Sequence, residues 1–208
     1  GSKLADRSKS FFSRLDSFAR KSKLIVRRSA KFSAEGFTLG IIKSVLTGKA
    51  SFNQLAMNLR LSEHKAMTRQ ALHKRVDQST VGFMLSATGQ AIKEWWDDEA
   101  LIVTKRFNRV IIEDSSQAKT DKRNAEDFPG HGNDKGKTAG CKIDLAFDLL
   151  TGEPVLEALH LATEQDRELG KDLVYLVKPF DLILRDMGYF STGEFRRIES
   201  LEAFWLSR

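Results

Sequence analysis

The 208 residues carry 34 Lys/Arg against 28 Asp/Glu, a formal net charge of +6, with 41% hydrophobic residues and one cysteine, Cys141. That balance suits a globular chain, and no apolar run approaches the roughly 20 residues needed to span a bilayer. A lone cysteine argues against a disulfide framework or a Cys-based zinc site, and fits a reducing, cytoplasmic setting.

The charge is unevenly divided. Gly1–Asp98 holds 18 Lys/Arg and 8 Asp/Glu, net +10, whereas Glu99–Arg208 holds 16 and 20, net −4. A basic first half suits a polyanionic partner, and an acidic second half suits metal ions. Gly1-Ser2 has the look of a tag-cleavage remnant, and no secretory signal with an apolar centre comes after it.

In chain order, Ser8–Ser22 predicts an amphipathic helix: Phe11, Phe12, Leu15, Phe18 and Ala19 fall at helical spacing, with Lys9, Arg14, Arg20 and Lys21 largely on the other faces. Such a basic face is either solvated or a phosphate contact, which carries no sequence information. Phe37–Leu46 predicts a second helix that Gly48 ends, and Ser51 with Gln54 fits a capping box opening a third. "MTRQALHKRV" predicts another, N-capped by Thr68, with Leu72 and Val76 inward and Arg69, Gln70, His73, Lys74 and Arg75 outward. Short helices with a polar, basic last member suggest a helix-turn-helix-like module, which makes these five residues candidate DNA contacts. His73 has no second His at ligand spacing and reads as a surface or groove residue. Thr80 to about Leu101 predicts a longer helix, apolar at Val81, Met84, Leu85, Ile92, Trp95 and Trp96, its Trp pair packing rather than stacking on bases.

From Asn108 the periodicity becomes strand-like. "RVIIEDS" predicts strand one, "CKIDLAFDL" strand two and "VLEALHLAT" strand three, the last two joined by the turn "TGEP". Between strands one and two, Phe128–Gly140 is a glycine-rich connector that lacks the ending of a phosphate-binding P-loop; its Lys135 and Lys137 are candidate DNA-backbone contacts. Asp166 predicts the N-cap of a helix, followed by strand four "LILRD", the short helix "STGEFRRIESL" and strand five "AFWLS". The order β-β-β-α-β-α-β is that of a ribonuclease-H-like mixed sheet. The fold expected is α+β, with a basic helical DNA-binding bundle over residues 1–101 and a catalytic core over 102–208.

Strand one ends on two adjacent carboxylates, Glu113 and Asp114, and strand four ends on Asp186. In this order strands one and four are parallel neighbours. Side chains alternate along a strand, so Asp114 shares a face with Val110 and Ile112 while Glu113 points the other way. Asp114 and Asp186 can then meet. Two carboxylates that close repel unless a raised pKa or a divalent cation neutralises them, and oxygen-only donors favour Mg²⁺ or Mn²⁺. A pair of such ions about 3.5–4 Å apart can activate a water or a DNA 3′-hydroxyl.

"VIIEDSS", "GCKIDLAFDLLTGEP", "DMGYFS" and "FWLSR" resemble DDE transposases of the insertion-sequence-4 family, and "SFNQLAMNL…TRQALHKRV" resembles their amino-terminal DNA-binding region. The resemblance implies cut-and-paste transposition: binding of terminal inverted repeats, metal-dependent strand hydrolysis and transfer of the 3′-hydroxyl to target DNA. It implies Asp114 and Asp186 as the first two catalytic acids and metal ligands, with Ser115 and the Gly188-Tyr189 turn shaping the site. The implied partners are transposon ends and target DNA, in a homodimer or larger assembly associated with the bacterial nucleoid and not with a membrane. Met187 stands where the family usually has Arg. The third acid, a Glu in a Tyr-x-x-Arg-x-x-x-Glu segment, is not reached before Arg208, and Glu199 and Glu202 read as solvated acids. The catalytic core is therefore expected to be incomplete at its carboxyl end, with apolar sheet surface left exposed. Two other functions suit the same residues: a non-catalytic DNA-binding remnant that inhibits the complete enzyme, and a ribonuclease-H-like nuclease.

Overall fold

The structure is a computed structural model that describes residues 3–27, 32–47, 51–63, 67–95, 106–132 and 138–208. The chain divides into two compact units, Gly1–Trp95 and Trp96–Arg208. Among the described residues there are seven α-helices and one five-stranded mixed sheet, an α+β arrangement. No helix among them is long and apolar enough to cross a membrane.

The first unit is helical. α1 (Lys3–Lys21) turns Leu15 and Ala19 inward and rests Phe11, Phe12 and Phe18 on the same core. α2 (Ala34–Leu46) begins three residues earlier than its apolar pattern, because Ser33 accepts from the Gly36 N–H at 3.0 Å. α3 (Phe52–Glu63) is capped by Ser51, which accepts from the Gln54 N–H. The Gln54 side-chain amide donates forward to Asn58 at 3.2 Å, whereas a full capping box would have its oxygen accept from the Ser51 N–H. α2 and α3 pack closely at Gly40, where a Cβ would stand 2.9 Å from Leu55.

Thr68 caps α4 as its spacing predicts, accepting from the Ala71 N–H at 3.2 Å, but α4 (Arg69–His73) is only five residues long. Leu72 is fully buried, whereas Val76, predicted to face inward, is exposed because the chain has left the helix by Arg75. α5 (Gln78–Trp95) comes next, and its buried face is Thr80, Phe83 and Ala87. That face lies to one side of the predicted one, and Val81 is exposed. The Trp95 side chain and Trp96 lie outside the described residues.

The second unit is built on β1 (Arg109–Lys119), β2 (Gly140–Asp148), β3 (Pro154–Leu161), β4 (Asp181–Arg185) and β5 (Phe204–Ser207). The sheet order is β3-β2-β1-β4-β5, with β1–β2 and β2–β3 antiparallel and β1–β4 and β4–β5 parallel. β1 runs four residues beyond its predicted end, paired with β2 as far as Lys119–Gly140. α6 (Asp166–Val174) and α7 (Thr192–Ser200) contribute Leu173, Val174, Phe195 and Ile198 to one core with Ile111, Ala146 and Ile183 of the sheet. Phe195 stacks flat on Trp205 at 3.8 Å. The register places Ile112, Ile143, Leu159, Phe204 and Leu206 together on the opposite face, and all five are exposed.

Candidate active site

β1 and β4 run parallel in the register Val110–Leu182, Ile111–Ile183 and Ile112–Leu184. Asp114 stands two residues past Ile112, and Asp186 two past Leu184. By the alternation of β1, Asp114 lies on the open face with Ile112. It is in mid-strand, two residues past the last β1–β4 pair, and not at the strand end that the sequence predicts, whereas Asp186 directly follows β4 and begins a turn. Both are exposed. Asp114 Oδ1 accepts from the N–H of Ser115 at 2.9 Å. Asp186 Oδ1 caps the 3₁₀ turn Met187–Tyr189 by accepting from the Gly188 N–H at 2.8 Å. Among the described residues neither acid forms an ion pair with Lys or Arg. The other acids nearby are treated differently: Asp166 pairs with Lys142, and Glu113 and Glu194 both pair with Arg185. Among the described residues no group of three or more His, Cys, Asp or Glu is placed to hold a metal ion.

The reverse side of the same strands holds a buried polar cluster. Glu113 points under the sheet against the Arg185 guanidinium, which also bonds Glu194 Oε2 at 3.0 Å and the Gly170 carbonyl at 2.8 Å. Gly170 leaves room for this: a Cβ there would stand 2.7 Å from Glu194 and 2.9 Å from Arg185. The Tyr189 hydroxyl donates to Asp144 Oδ1 at 2.9 Å, and its ring lies below the Arg185 guanidinium. One cation serves several carboxylates here. Burial pushes the Glu113 carboxyl up to about 8, against the opposing pull of Arg185. Burial also raises Asp144 and Glu194; Asp144 and Glu194 each leave one buried oxygen without a hydrogen-bond partner, and Glu113, held by its ion pair with Arg185, leaves both. The adjacent carboxylates of β1 thus divide by the strand's alternation. Glu113 is buried against a cation, and Asp114 is in the open without one.

Asp166 is the third carboxylate at this end of the sheet. The sequence predicts it as the N-cap of α6. The structure makes Gln165 the N-cap, without a side-chain bond, and Asp166 the first helical residue. Its side chain turns to the sheet, accepting from Ser115 Oγ at 2.7 Å and Lys142 Nζ at 2.8 Å. Burial opposes ionisation of Asp166, but the bonds from Lys142 and Ser115 outweigh it and hold the carboxyl below its ordinary value.

Of the candidate DNA contacts, Arg69, Gln70, His73 and Lys74 are exposed along α4. Arg75 is half-buried, its guanidinium 4.7 Å above the Phe32 ring, and the His73 ring lies 5.2 Å from Phe52. Lys135 and Lys137 lie outside the described residues. Glu199 and Glu202 are exposed, as expected of solvated acids, although Glu199 accepts from Trp205 Nε1 at 3.1 Å. Sequence reasoning named Tyr189 only as part of the turn that shapes the site, and missed Arg185, Asp144 and the sheet-facing role of Asp166. The arginine was detectable: in "DLILRD" it occupies a position that strand alternation puts on the same side as Ile183, where a cation needs a buried anion.

The family model described as "Transposase DDE domain" matches residues 105–208. Over 187 residues, 88% of this chain, the sequence is 29% identical to the transposase for insertion sequence element IS231B of Bacillus thuringiensis subsp. berliner. Over 199 residues, 93% of the chain, it is 25% identical to the transposase for insertion sequence element IS1151 of Clostridium perfringens. These stretches are 39% and 41% of the relatives' own lengths, so the chain spans about two fifths of the curated relatives it matches. A solved structure, the cryo-EM piggyBac transposase synaptic complex with hairpin DNA, superposes with a TM-score of 0.40 and 13% identity over 95% of this chain and 48% of that one. With half its length matched by the family model over the strands that carry Asp114 and Asp186, the chain belongs to the transposase DDE domain family.

Proposed function

We propose that this chain carries the DNA-binding region and the first two catalytic acids, Asp114 and Asp186, of a DNA transposase that cuts at terminal inverted repeats and joins the freed 3′-hydroxyl to target DNA. The observation that carries the reading is the pair itself: two exposed carboxylates, each two residues past the last pair of the parallel β1–β4 ladder, without an ion-pair partner among the described residues and inside the span matched by the family model. In this reading the sheet is the ribonuclease-H-like core.

The residues fit a divalent ion. Both donors are hard oxygens, each acid has one oxygen occupied by a backbone N–H, and their mutual repulsion is unrelieved by Lys or Arg among the described residues. Asp114 and Asp186 would hold Mg²⁺ or Mn²⁺, two ions in the complete site, which when bound polarise phosphoryl oxygens and generate the nucleophile. Asp114 and Asp186 then have one task, to fix negative charge at a point where the scissile phosphate arrives. Glu113 and Arg185 clamp β1 to β4 from beneath and so hold the spacing between the acids. On the helical unit, Arg69, Gln70, His73 and Lys74 offer an exposed polar and basic edge for the duplex, with Arg75, Lys135 and Lys137 as further phosphate contacts. Binding to paired transposon ends implies a homodimer or larger assembly.

A second reading is a DNA-binding chain without catalysis of its own. It is favoured by the exposed polar and basic edge of Arg69, Gln70, His73 and Lys74, which can hold a duplex without any catalysis. One experiment separates the two. Terminal-repeat DNA is incubated with the chain and Mn²⁺, and nicking is compared with Asp114→Asn and Asp186→Asn. The transposase reading expects Mn²⁺-dependent nicking, weak with only two of the three acids, that both substitutions abolish while DNA affinity is kept. Nicking that survives both substitutions overturns the assignment of the pair.

A further inference from the structure

Asp166 is 52 residues from Asp114 and 20 from Asp186, yet its side chain reaches the β1 residue that follows the first and the turn that follows the second. On the β1 side it accepts from the hydroxyl of Ser115, the residue after Asp114, at 2.7 Å. On the β4 side the contact runs through Gly188: a Cβ there would stand 3.0 Å from Asp166 Oδ2 and 3.0 Å from Asp186 Oδ1. Gly188 is thus the spacer between two carboxylates, and any side chain at this position would push against both. Lys142, almost wholly buried, donates to Asp166 Oδ1 at 2.8 Å and to the Glu164 carbonyl at 2.6 Å. That holds the same oxygen that Ser115 bonds and balances the carboxylate's charge.

Resting on the transposase reading of the Asp114–Asp186 pair, we infer that Asp166 is a positioning residue for that pair. It bonds the β1 residue after Asp114 and lies against the turn after Asp186, and with Lys142 it sets the charge felt between them. Two consequences have opposite signs. Removing the charge of Asp166 makes the site less negative and frees Ser115, so a divalent cation binds less tightly. Removing Lys142 leaves Asp166 as an unbalanced anion beside Asp186, so a divalent cation binds more tightly, although a buried ion pair is broken and the fold is weakened. A purely structural role would move both variants the same way.

The test is Mn²⁺ titration of the whole chain, read by calorimetry or by loss of the free-ion electron-spin signal, beside urea denaturation of each variant. Asp166→Asn keeps the shape and an acceptor for Ser115, and is expected to weaken Mn²⁺ binding about threefold to tenfold. Ser115→Ala is expected to weaken it by less. Lys142→Met is expected to tighten it about twofold to fivefold despite lower stability. Wild-type binding that Asp166→Asn leaves unchanged, or Lys142→Met and Asp166→Asn weakening it alike, overturns the inference while leaving the pair intact. A wild-type chain that takes up no Mn²⁺ overturns the reading of the pair, and this inference with it.

Discussion

Glu113→Gln is the most informative substitution beneath the sheet. Glu113 is held up to about 8 by burial, so between pH about 4.5 and that value the folded chain keeps a proton that the unfolded chain has released. Folding therefore takes up a proton in this window: stability is greatest at its acid end, falls as pH rises through it, and levels off above it. One proton per molecule gives about 1.4 kcal/mol per pH unit, a ceiling of about 4–5 kcal/mol across the window. Glu194 shares the same guanidinium and can take the proton in its place, so about 2–3 kcal/mol is the expected loss. Gln has nearly the same shape and no proton to release, and Arg185 keeps its bond to Glu194. The assay is urea denaturation at pH about 5.5, 7 and 8.5 with pulsed hydrogen exchange read on the β1 segment, which isolates the sheet from the helical unit. The wild type should lose stability toward alkaline pH, and Glu113→Gln should lose markedly less. Parallel profiles for the two proteins would refute the reasoning, because other titrating groups are common to both.

In the helical unit, Leu72→Ala removes a fully buried side chain from α4 and should destabilise that unit by about 2–5 kcal/mol in urea denaturation, leaving exchange in β1 unaltered. Reversing the charge of Arg69 and Lys74 together should weaken DNA binding and reduce the slope of log affinity against log salt by about 2; an unchanged slope removes α4 from the DNA interface.

The order of the second unit was legible because its strands are short, β-branched and punctuated by turn signals, and because a parallel β1–β4 pair is the consequence of that order. The placement of Asp114 and Glu113 on opposite faces came from alternation alone. The features that escaped depend on a partner from a distant segment. Asp166 looks like a cap in sequence because acids favour helix starts, and only Ser115 and Lys142, both supplied by the sheet, draw it elsewhere. In α5 the predicted stripe tracked the larger aliphatic residues, whereas the packing chose the side with Phe83, next to Phe37. The length of α4 was equally hidden: "ALHKRV" has helical spacing, but the chain is diverted by Thr80, whose hydroxyl takes up the Arg75 carbonyl at 2.7 Å.

The parallel pairing of β1 with β4 also separates distance along the chain from distance in space. The 71 residues between Asp114 and Asp186 include a hairpin, a turn and a helix, but the lengths of these do not set how far apart the two acids stand. One interstrand step does, with Asp166 trimming it. Lengthening the turn after Asp148 or the loop before Asp181 would leave the opening between the carboxylates as it is. Sliding β4 along β1 by a single residue would turn Asp186 to the opposite side and dismantle the site without altering any amino acid.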